Sequence, residues 1–119
     1  MAITKVTRHN IPYFRATVNG TQTIATGTNT KVEFDTEVFD IDSTYDTTNK
    51  RFTPAVAGYY FLQAHINFNT DTDAAYFQCI IYKNGSQLAG FNNENFNYGS
   101  SGVCVVDLAD ADDYYEVYV

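Results

Sequence analysis

The alternation of apolar and polar side chains is clearest in residues 59–69, YYFLQAHINFN. A strand places successive side chains on opposite faces, so a period of two predicts a strand that is buried on one side. One face would carry Tyr60, Leu62, Ala64, Ile66 and Phe68. The other face would carry Tyr59, Phe61, Gln63, His65 and Asn67. The first face is almost wholly apolar, as a half-buried strand of a sandwich requires.

Shorter runs of the same kind occur along the rest of the chain, separated by turn residues. They predict strands at residues 12–18, 31–34, 38–41, 75–83, 87–91, 103–108 and 114–119. Asn84-Gly85 is a strong signal for a two-residue hairpin, and residues 92–102 read as a polar loop. No run of ten residues shows helical periodicity. The pattern therefore predicts an all-β domain over residues 12–119, preceded by an N-terminal arm at residues 1–11.

Charge narrows the range of partners. The chain has 119 residues and a net charge of -7, so a nucleic acid and an anionic membrane would both be repelled. Residues 1–12 lack the apolar core of a secretory signal, and no run is long enough to span a bilayer. If Met1 is the native start, we expect synthesis in a cytosol and delivery by assembly into a virion or by lysis.

Few residues are suited to catalysis or to binding a metal ion. His9 and His65 are the only histidines, and His65 fits a surface or interface position better than a general base. Motifs for zinc and for nucleotides are missing. Cys79 and Cys104 each lie in an apolar run, which predicts two small buried hydrophobes, with a cross-sandwich disulfide as the alternative. The chain is predicted not to be an enzyme and to need no cofactor.

Seven positions carry a recognisable spacing: Phe34, Asp40, Tyr45, Phe52, Gly58, Tyr60 and Leu62. This set resembles the signature of the C1q domain of the C1q and tumour-necrosis-factor superfamily. Leu62 stands where that signature usually has Phe, and Ala64 where it usually has an aromatic residue. IIYKNG at residues 80–85 and VCVVDLADADDYYEVYV at residues 103–119 are also similar to strands of the family.

The spacing has a physical interpretation. Phe34, Tyr45 and Phe52 would be aromatic anchors that hold short strands and loops against one core. Gly58 would permit an unusual backbone geometry or a close approach at the start of the long strand.

The resemblance implies a C1q/TNF-like jelly-roll β-sandwich of two antiparallel sheets that assembles as a homotrimer. The last strand of the family, which lies beside the long central strand, is missing from the sequence. The polypeptide could be a fragment, a neighbouring chain could fill the gap, or the sheet could be rearranged; the fragment is favoured because a gap leaves backbone groups unpaired. Residues for the core or for the threefold axis would be Tyr60, Leu62, Ile66 and Phe68.

The resemblance also implies recognition by exposed loops. The loop residues expected to contact a ligand are Phe91, Asn93, Phe96 and Tyr98. Acidic turns suggest calcium, a cation that prefers oxygen ligands, at Asp71, Asp73, Asp110, Asp112 and Asp113. Solvated turns are the simpler interpretation of the same residues.

Two functions follow as hypotheses. The first is a structural phage virion protein of bacterial or phage C1q type. It would be either a fibre tip that recognises a host-surface glycan or protein, or a capsid decoration protein docked on other virion proteins through its arm. The alternative is a secreted or cell-surface binding protein of tumour-necrosis-factor-like type. A third idea, a small hydrolase, requires His65 to lie in a cleft with a carboxylate.

Overall fold

The computed structural model describes residues 12–69, 76–94 and 98–119, and the regular elements in these ranges are β-strands. The strands are β1 (Tyr13–Thr17), β2 (Thr36–Ile41), β3 (Tyr45–Asp46), β4 (Arg51–Phe52), β5 (Gly58–Asn69), β6 (Tyr76–Lys83), β7 (Ser86–Glu94), β8 (Tyr98–Ala109) and β9 (Tyr115–Tyr118). The prediction of an all-β jelly-roll sandwich is confirmed.

The strands form two layers around one core. One layer is a continuous antiparallel sheet in the order β3-β4-β9-β6-β7. The other layer consists of two separate ribbons, β1-β2 and β5-β8. Aromatic and aliphatic side chains from both layers meet between them; the cluster includes Phe52, Cys79 and Ile81 from the five-stranded sheet and Leu62 and Val103 from the β5-β8 ribbon.

The β5-β8 ribbon is the longest regular unit of the fold. Its two strands pair antiparallel from Gly58 with Ala109 to Asn69 with Tyr98, without a bulge. At about 3.4 Å per residue, twelve residues extend for about 40 Å. No described strand pairs with the other edge of β5, or joins this ribbon to β1-β2. This break lies beside the long strand, where a missing strand was predicted; which segment fills it stays a prediction.

Asp40 organises the turn between β2 and β3. The backbone N–H and the hydroxyl of Thr44 both donate to Oδ1 of Asp40 at 3.0 Å, and the N–H of Tyr45 donates to Oδ2 at 2.8 Å. Asp42 and Ser43, between them, have φ values of 74° and 54°, a conformation that side chains disfavour. The carboxylate therefore stabilises a turn that the backbone alone would not prefer.

Tyr45 connects that turn to the core. Its hydroxyl donates to the carbonyl of Phe34 at 2.9 Å, and it lies opposite Phe52 in the β3-β4 hairpin. Phe14 stacks on both rings, each with 4.7 Å between ring centroids. Phe52 in turn meets Tyr60 edge to face at 5.7 Å. Most of the signature residues thus form one connected cluster, which supports their predicted role as anchors.

The role predicted for Gly58 is wrong in this structure. Its φ does not lie in the left-handed region, and a Cβ added there would meet only the ring of Tyr60, at an ordinary 3.9 Å. Nothing in the described residues therefore requires glycine at this position. In contrast, Asn84 and Gly85 have φ values of 51° and 80°, so the predicted two-residue hairpin is confirmed.

Two local predictions were wrong. Residues 31–34 form no strand; Lys31 makes only an isolated bridge to Tyr118. Much of the predicted loop at 92–102 belongs to β7 and β8. Asn, Gly and Ser have weak strand propensities, but pairing with β6 and β5 holds these residues extended.

We expect Asp40→Asn to lower the free energy of unfolding by about 1–3 kcal/mol, because one carboxylate oxygen is replaced by a donor that faces another donor. The matched control is Asp42→Asn, an exposed position in the same turn that should change stability by less than about 0.5 kcal/mol. Urea unfolding followed by circular dichroism measures both. Equal stabilities for the two variants would show that the Asp40 carboxylate does not hold the turn.

Candidate functional site

The most distinctive surface is the side of the β5-β8 ribbon that faces away from the core. We call it the β5-β8 outer face and define it by its seven central residues, Tyr59, Phe61, Gln63 and His65 from β5 with Cys104, Val106 and Leu108 from β8. All seven are exposed. The register places Tyr59 opposite Leu108 and Phe61 opposite Val106, so their side chains form one patch.

Large apolar side chains in this patch are open to solvent. The exposed fractions are 77% for Tyr59, 65% for Phe61, 63% for Val106 and 55% for Leu108. Single exposed apolar residues are ordinary on protein surfaces, but these four are adjacent across two paired strands and form a contiguous patch of the kind found at interaction sites. The patch is at the start of β5; beyond it the same face becomes polar, with His65 and Asn67.

The ribbon is also almost uncharged, although the chain has a net charge of -7. β5 has no Asp, Glu, Lys or Arg, and β8 has only Asp107. Asp107 lies on the core side, where its carboxylate pairs with Lys83 at 2.8 Å. The outer face therefore presents apolar and neutral polar groups, a composition typical of the centre of a protein interface.

The residues predicted for core or axis are on the opposite side of the ribbon. Tyr60 and Leu62 are buried in the core, and Ile66 packs against it. Phe68 stacks on Phe77 with 4.4 Å between ring centroids. These side chains are therefore used within a single chain. Sequence reasoning missed the outer face, although the aromatic residues Tyr59 and Phe61 at alternate polar positions were a signal for it.

The residues predicted for ligand recognition are not gathered in one loop. Phe91 and Asn93 lie in β7 and Tyr98 begins β8, while Phe96 lies outside the described residues. Phe91 is exposed, and its carbonyl accepts a hydrogen bond from the Ser101 hydroxyl at 3.4 Å. The geometry brings β7 and β8 together at this hydrogen bond.

His65 lies on the outer face and is exposed. Its imidazole edge is close to Gly102 on β8: a Cβ added to Gly102 would be 3.5 Å from Cδ2 of His65. Cys104 is nearby in the register, but no hydrogen bond joins the two side chains in the described part of the chain. The cleft and the carboxylate that the hydrolase hypothesis requires are not found at His65 among these residues.

The cysteines differ in environment. Cys79 is buried in the core and burial raises the pKa of its thiol to about 11. Cys104 is exposed, so the prediction that both are buried was wrong for Cys104, and neither is in a disulfide. The two thiols are kept apart because the Cys104 side chain points outward on β8, whereas the Cys79 side chain points into the core from β6.

An ion cluster joins the two layers near the β8-β9 turn. Lys83 Nζ lies 2.8 Å from Asp107 and 3.0 Å from Asp113, and the Tyr115 hydroxyl donates to Asp107 at 2.6 Å. Asn84 donates to the other oxygen of Asp113 at 2.7 Å. Hydrogen bonds from Asn84, from the backbone of Asp110 and from Lys83 lower the pKa of Asp113 to about 2.

This cluster bears on the calcium prediction. Both Asp113 oxygens already accept hydrogen bonds, from Asn84 on one and from Lys83 and the Asp110 N–H on the other. Asp110 and Asp112 are exposed. The described residues contain no group of three or more acidic, His or Cys side chains placed to hold a metal ion. Asp71 and Asp73 lie outside the described residues.

The strands form a β-sandwich with an apolar, uncharged outer face on the β5-β8 ribbon and an aromatic cluster in its core. The family model for the C1q domain matches residues 14–119. The chain therefore belongs to the C1q domain family. A comparison with curated proteins gave no match. Within the described ranges there is no helix long and apolar enough to cross a membrane.

Membership sets general expectations. Domains of this family are generally non-enzymatic, typically form homotrimers and bind ligands, and are typically secreted or extracellular. These properties agree with the predicted class of function: recognition or structure.

The ion cluster of Lys83, Asp107 and Asp113 makes the free energy of unfolding depend on pH. The pKa of Asp113 falls from an ordinary 3.8 to about 2 on folding, so its ionised form favours the folded state. The stabilisation is complete above about pH 4 and is lost as the pH falls toward 2. We expect Asp113→Asn to be less stable than the unmodified chain at pH 6, with the difference narrowing as the pH approaches 2.

Urea midpoints measured at several pH values test this, with Asp112→Asn as the control because Asp112 is exposed in the same turn. A difference between the unmodified chain and Asp113→Asn that stays constant from pH 6 to pH 2 would contradict the prediction.

Proposed function

We propose that this chain is the subunit of a homotrimer that serves recognition or structure, without catalysis, and that copies associate through the β5-β8 outer face. The exposed apolar patch of Tyr59, Phe61, Val106 and Leu108 is the observation that carries the proposal. Membership of a family whose domains typically form homotrimers supports the number of copies.

The energetics favour covering this patch. Burying an exposed Phe side chain contributes about 1.5–3 kcal/mol, so covering the remaining exposed part of Phe61 would contribute about 1–2 kcal/mol per chain. Tyr59, Val106 and Leu108 would add comparable amounts. Their paired backbone also limits the motion of the patch, so that little backbone entropy is lost on contact.

The distribution of charge indicates that a second copy of the chain covers the β5-β8 outer face. Two or more copies, each with a net charge of -7, repel each other unless they meet through uncharged surface. The β5-β8 outer face is such a surface, because the only charged residue of either strand, Asp107, is paired on the core side. A basic partner would instead be expected to contact a surface with exposed carboxylates.

Phe61→Glu should convert the trimer to a folded monomer, because it places one carboxylate per chain in the apolar patch. The fold should survive, since Phe61 is exposed in the single chain. Sedimentation equilibrium should give the mass of three 13.4 kDa chains before the change and of one chain after it.

The matched control is Tyr76→Glu. Tyr76 is another exposed aromatic residue, but it lies on β6 in the opposite sheet, so the trimer should persist. The proposed interface is wrong if the unmodified chain is monomeric at micromolar concentration. It is also wrong if the Phe61 and Tyr76 variants behave alike.

The recognition surface belongs to the same proposal. In a trimer built on the β5-β8 outer face, β7 would remain at the free edge of the five-stranded sheet, with Phe91 exposed. We propose that this edge contacts the ligand. The ligand would be a host-surface glycan or protein, or another virion protein. Exposed aromatic side chains supply contact area at low entropic cost.

For location we propose a phage virion, as a fibre tip or as a capsid decoration protein. The Asn-, Thr- and Asp-rich connecting segments support it. The alternative, a secreted or cell-surface binding protein, is favoured by the typical location of the family. Mass spectrometry of density-banded particles and of particle-free supernatant from the source culture distinguishes them. The chain should be in the particles at a fixed ratio to the shell protein; recovery in the supernatant alone would favour the alternative.

A further inference from the structure

The β5-β8 outer face contains one group that can gain charge in mildly acidic solution. Histidine is the side chain that ordinarily does so between pH 5 and 8. His65 is exposed on this face, two positions along β5 from Gln63 and four from Phe61. The only other histidine of the chain is His9, which lies outside the described residues.

The imidazole is surrounded by neutral groups. On its own strand its neighbours on the face are Gln63 and Asn67, and across the ribbon they are Gly102 and Cys104 with Ser100. Of these only the Cys104 thiol can titrate. The outer face of the two strands therefore presents no carboxylate to stabilise an imidazolium ion.

The imidazole ring of His65 lies close to the neighbouring strand. A Cβ at Gly102 would be 3.2 Å from the Ala64 carbonyl and 3.5 Å from Cδ2 of His65. With glycine at this position, the edge of the imidazole can lie close to β8. A second copy that covers the β5-β8 outer face, as proposed above, covers His65 together with the apolar patch because both belong to this face.

We propose that His65 makes the self-association of this chain sensitive to acid, an inference that rests on the proposed homotrimer. Covering the neutral imidazole removes no charge from water, whereas covering an imidazolium ion removes one with no carboxylate from the ribbon beside it. Protonation therefore favours separated chains, and the assembly weakens as the pH falls.

The predicted direction is opposite to the general electrostatic effect. Acidification reduces the net negative charge of an acidic chain and so reduces the repulsion between copies. Without a specific group at the interface, association should stay constant or strengthen as the pH falls. A weakening between pH 7.5 and pH 5.5 thus points to histidine, since carboxylates ordinarily titrate below this range.

The test is sedimentation velocity of the full chain over a concentration series at pH 7.5 and pH 5.5. Because assembly covers three imidazoles at once, we expect the concentration for half-assembly to rise about tenfold or more at pH 5.5. His65→Gln should abolish this response. His65→Lys, which is charged at both pH values, should show weak association at both.

Two controls isolate the group. His9→Gln should respond to pH as the unmodified chain does, and Cys104→Ser, which removes a titratable neighbour of His65 on the face, should also keep the response. A chain that is trimeric with the same midpoint at both pH values overturns this inference alone. So does a His65→Gln variant that keeps the full response. A chain that is monomeric at pH 7.5 overturns the proposed trimer as well, because the imidazole would then control no assembly.

Discussion

The structure depends first on the carboxylate of Asp40 and the aromatic ring that follows it. Asp40 accepts three hydrogen bonds from Thr44 and Tyr45, and these fix a turn that includes two residues with positive φ. The turn places Tyr45 so that its hydroxyl reaches the Phe34 carbonyl and its ring stacks with Phe14. A part-buried polar contact thereby determines where Tyr45 enters the core.

The β5-β8 ribbon has a different role on each of its two faces. Alternation along the strands sends Leu62 and Val103 into the core and Phe61 and Val106 into solvent. A ribbon of two strands is marginal by itself and needs a packed face for stability. The inner face supplies that packing within the chain, so the outer face is free to be used between chains.

The sequence predicted the structure correctly where local signals and long-range packing agree. The long strand, the Asn84-Gly85 hairpin and the anchor roles of Tyr45 and Phe52 follow from periodicity, turn chemistry and spacing. The prediction failed where pairing with a distant strand determines the conformation. Residues 98–102 contain glycine and serine and were predicted as a loop, but β5 holds them in register. The outer face was missed for a different reason: alternation identifies the face that is buried in the core, but it does not say whether another chain covers the opposite face.

Two parts of the β5-β8 ribbon, the open edge of β5 and the outer face, have no partner among the described residues. Their geometries differ. The open edge of β5 presents backbone donors and acceptors in the plane of the ribbon, so only another extended segment can pair with it. The β5-β8 outer face presents side chains perpendicular to that plane, so it requires a surface and not a strand. Association of copies through the face would leave the edge unpaired, and a strand added at the edge would leave Phe61 exposed. The two are therefore independent, and a strand supplied by any polypeptide would extend the ribbon without removing the apolar patch that the trimer is proposed to use.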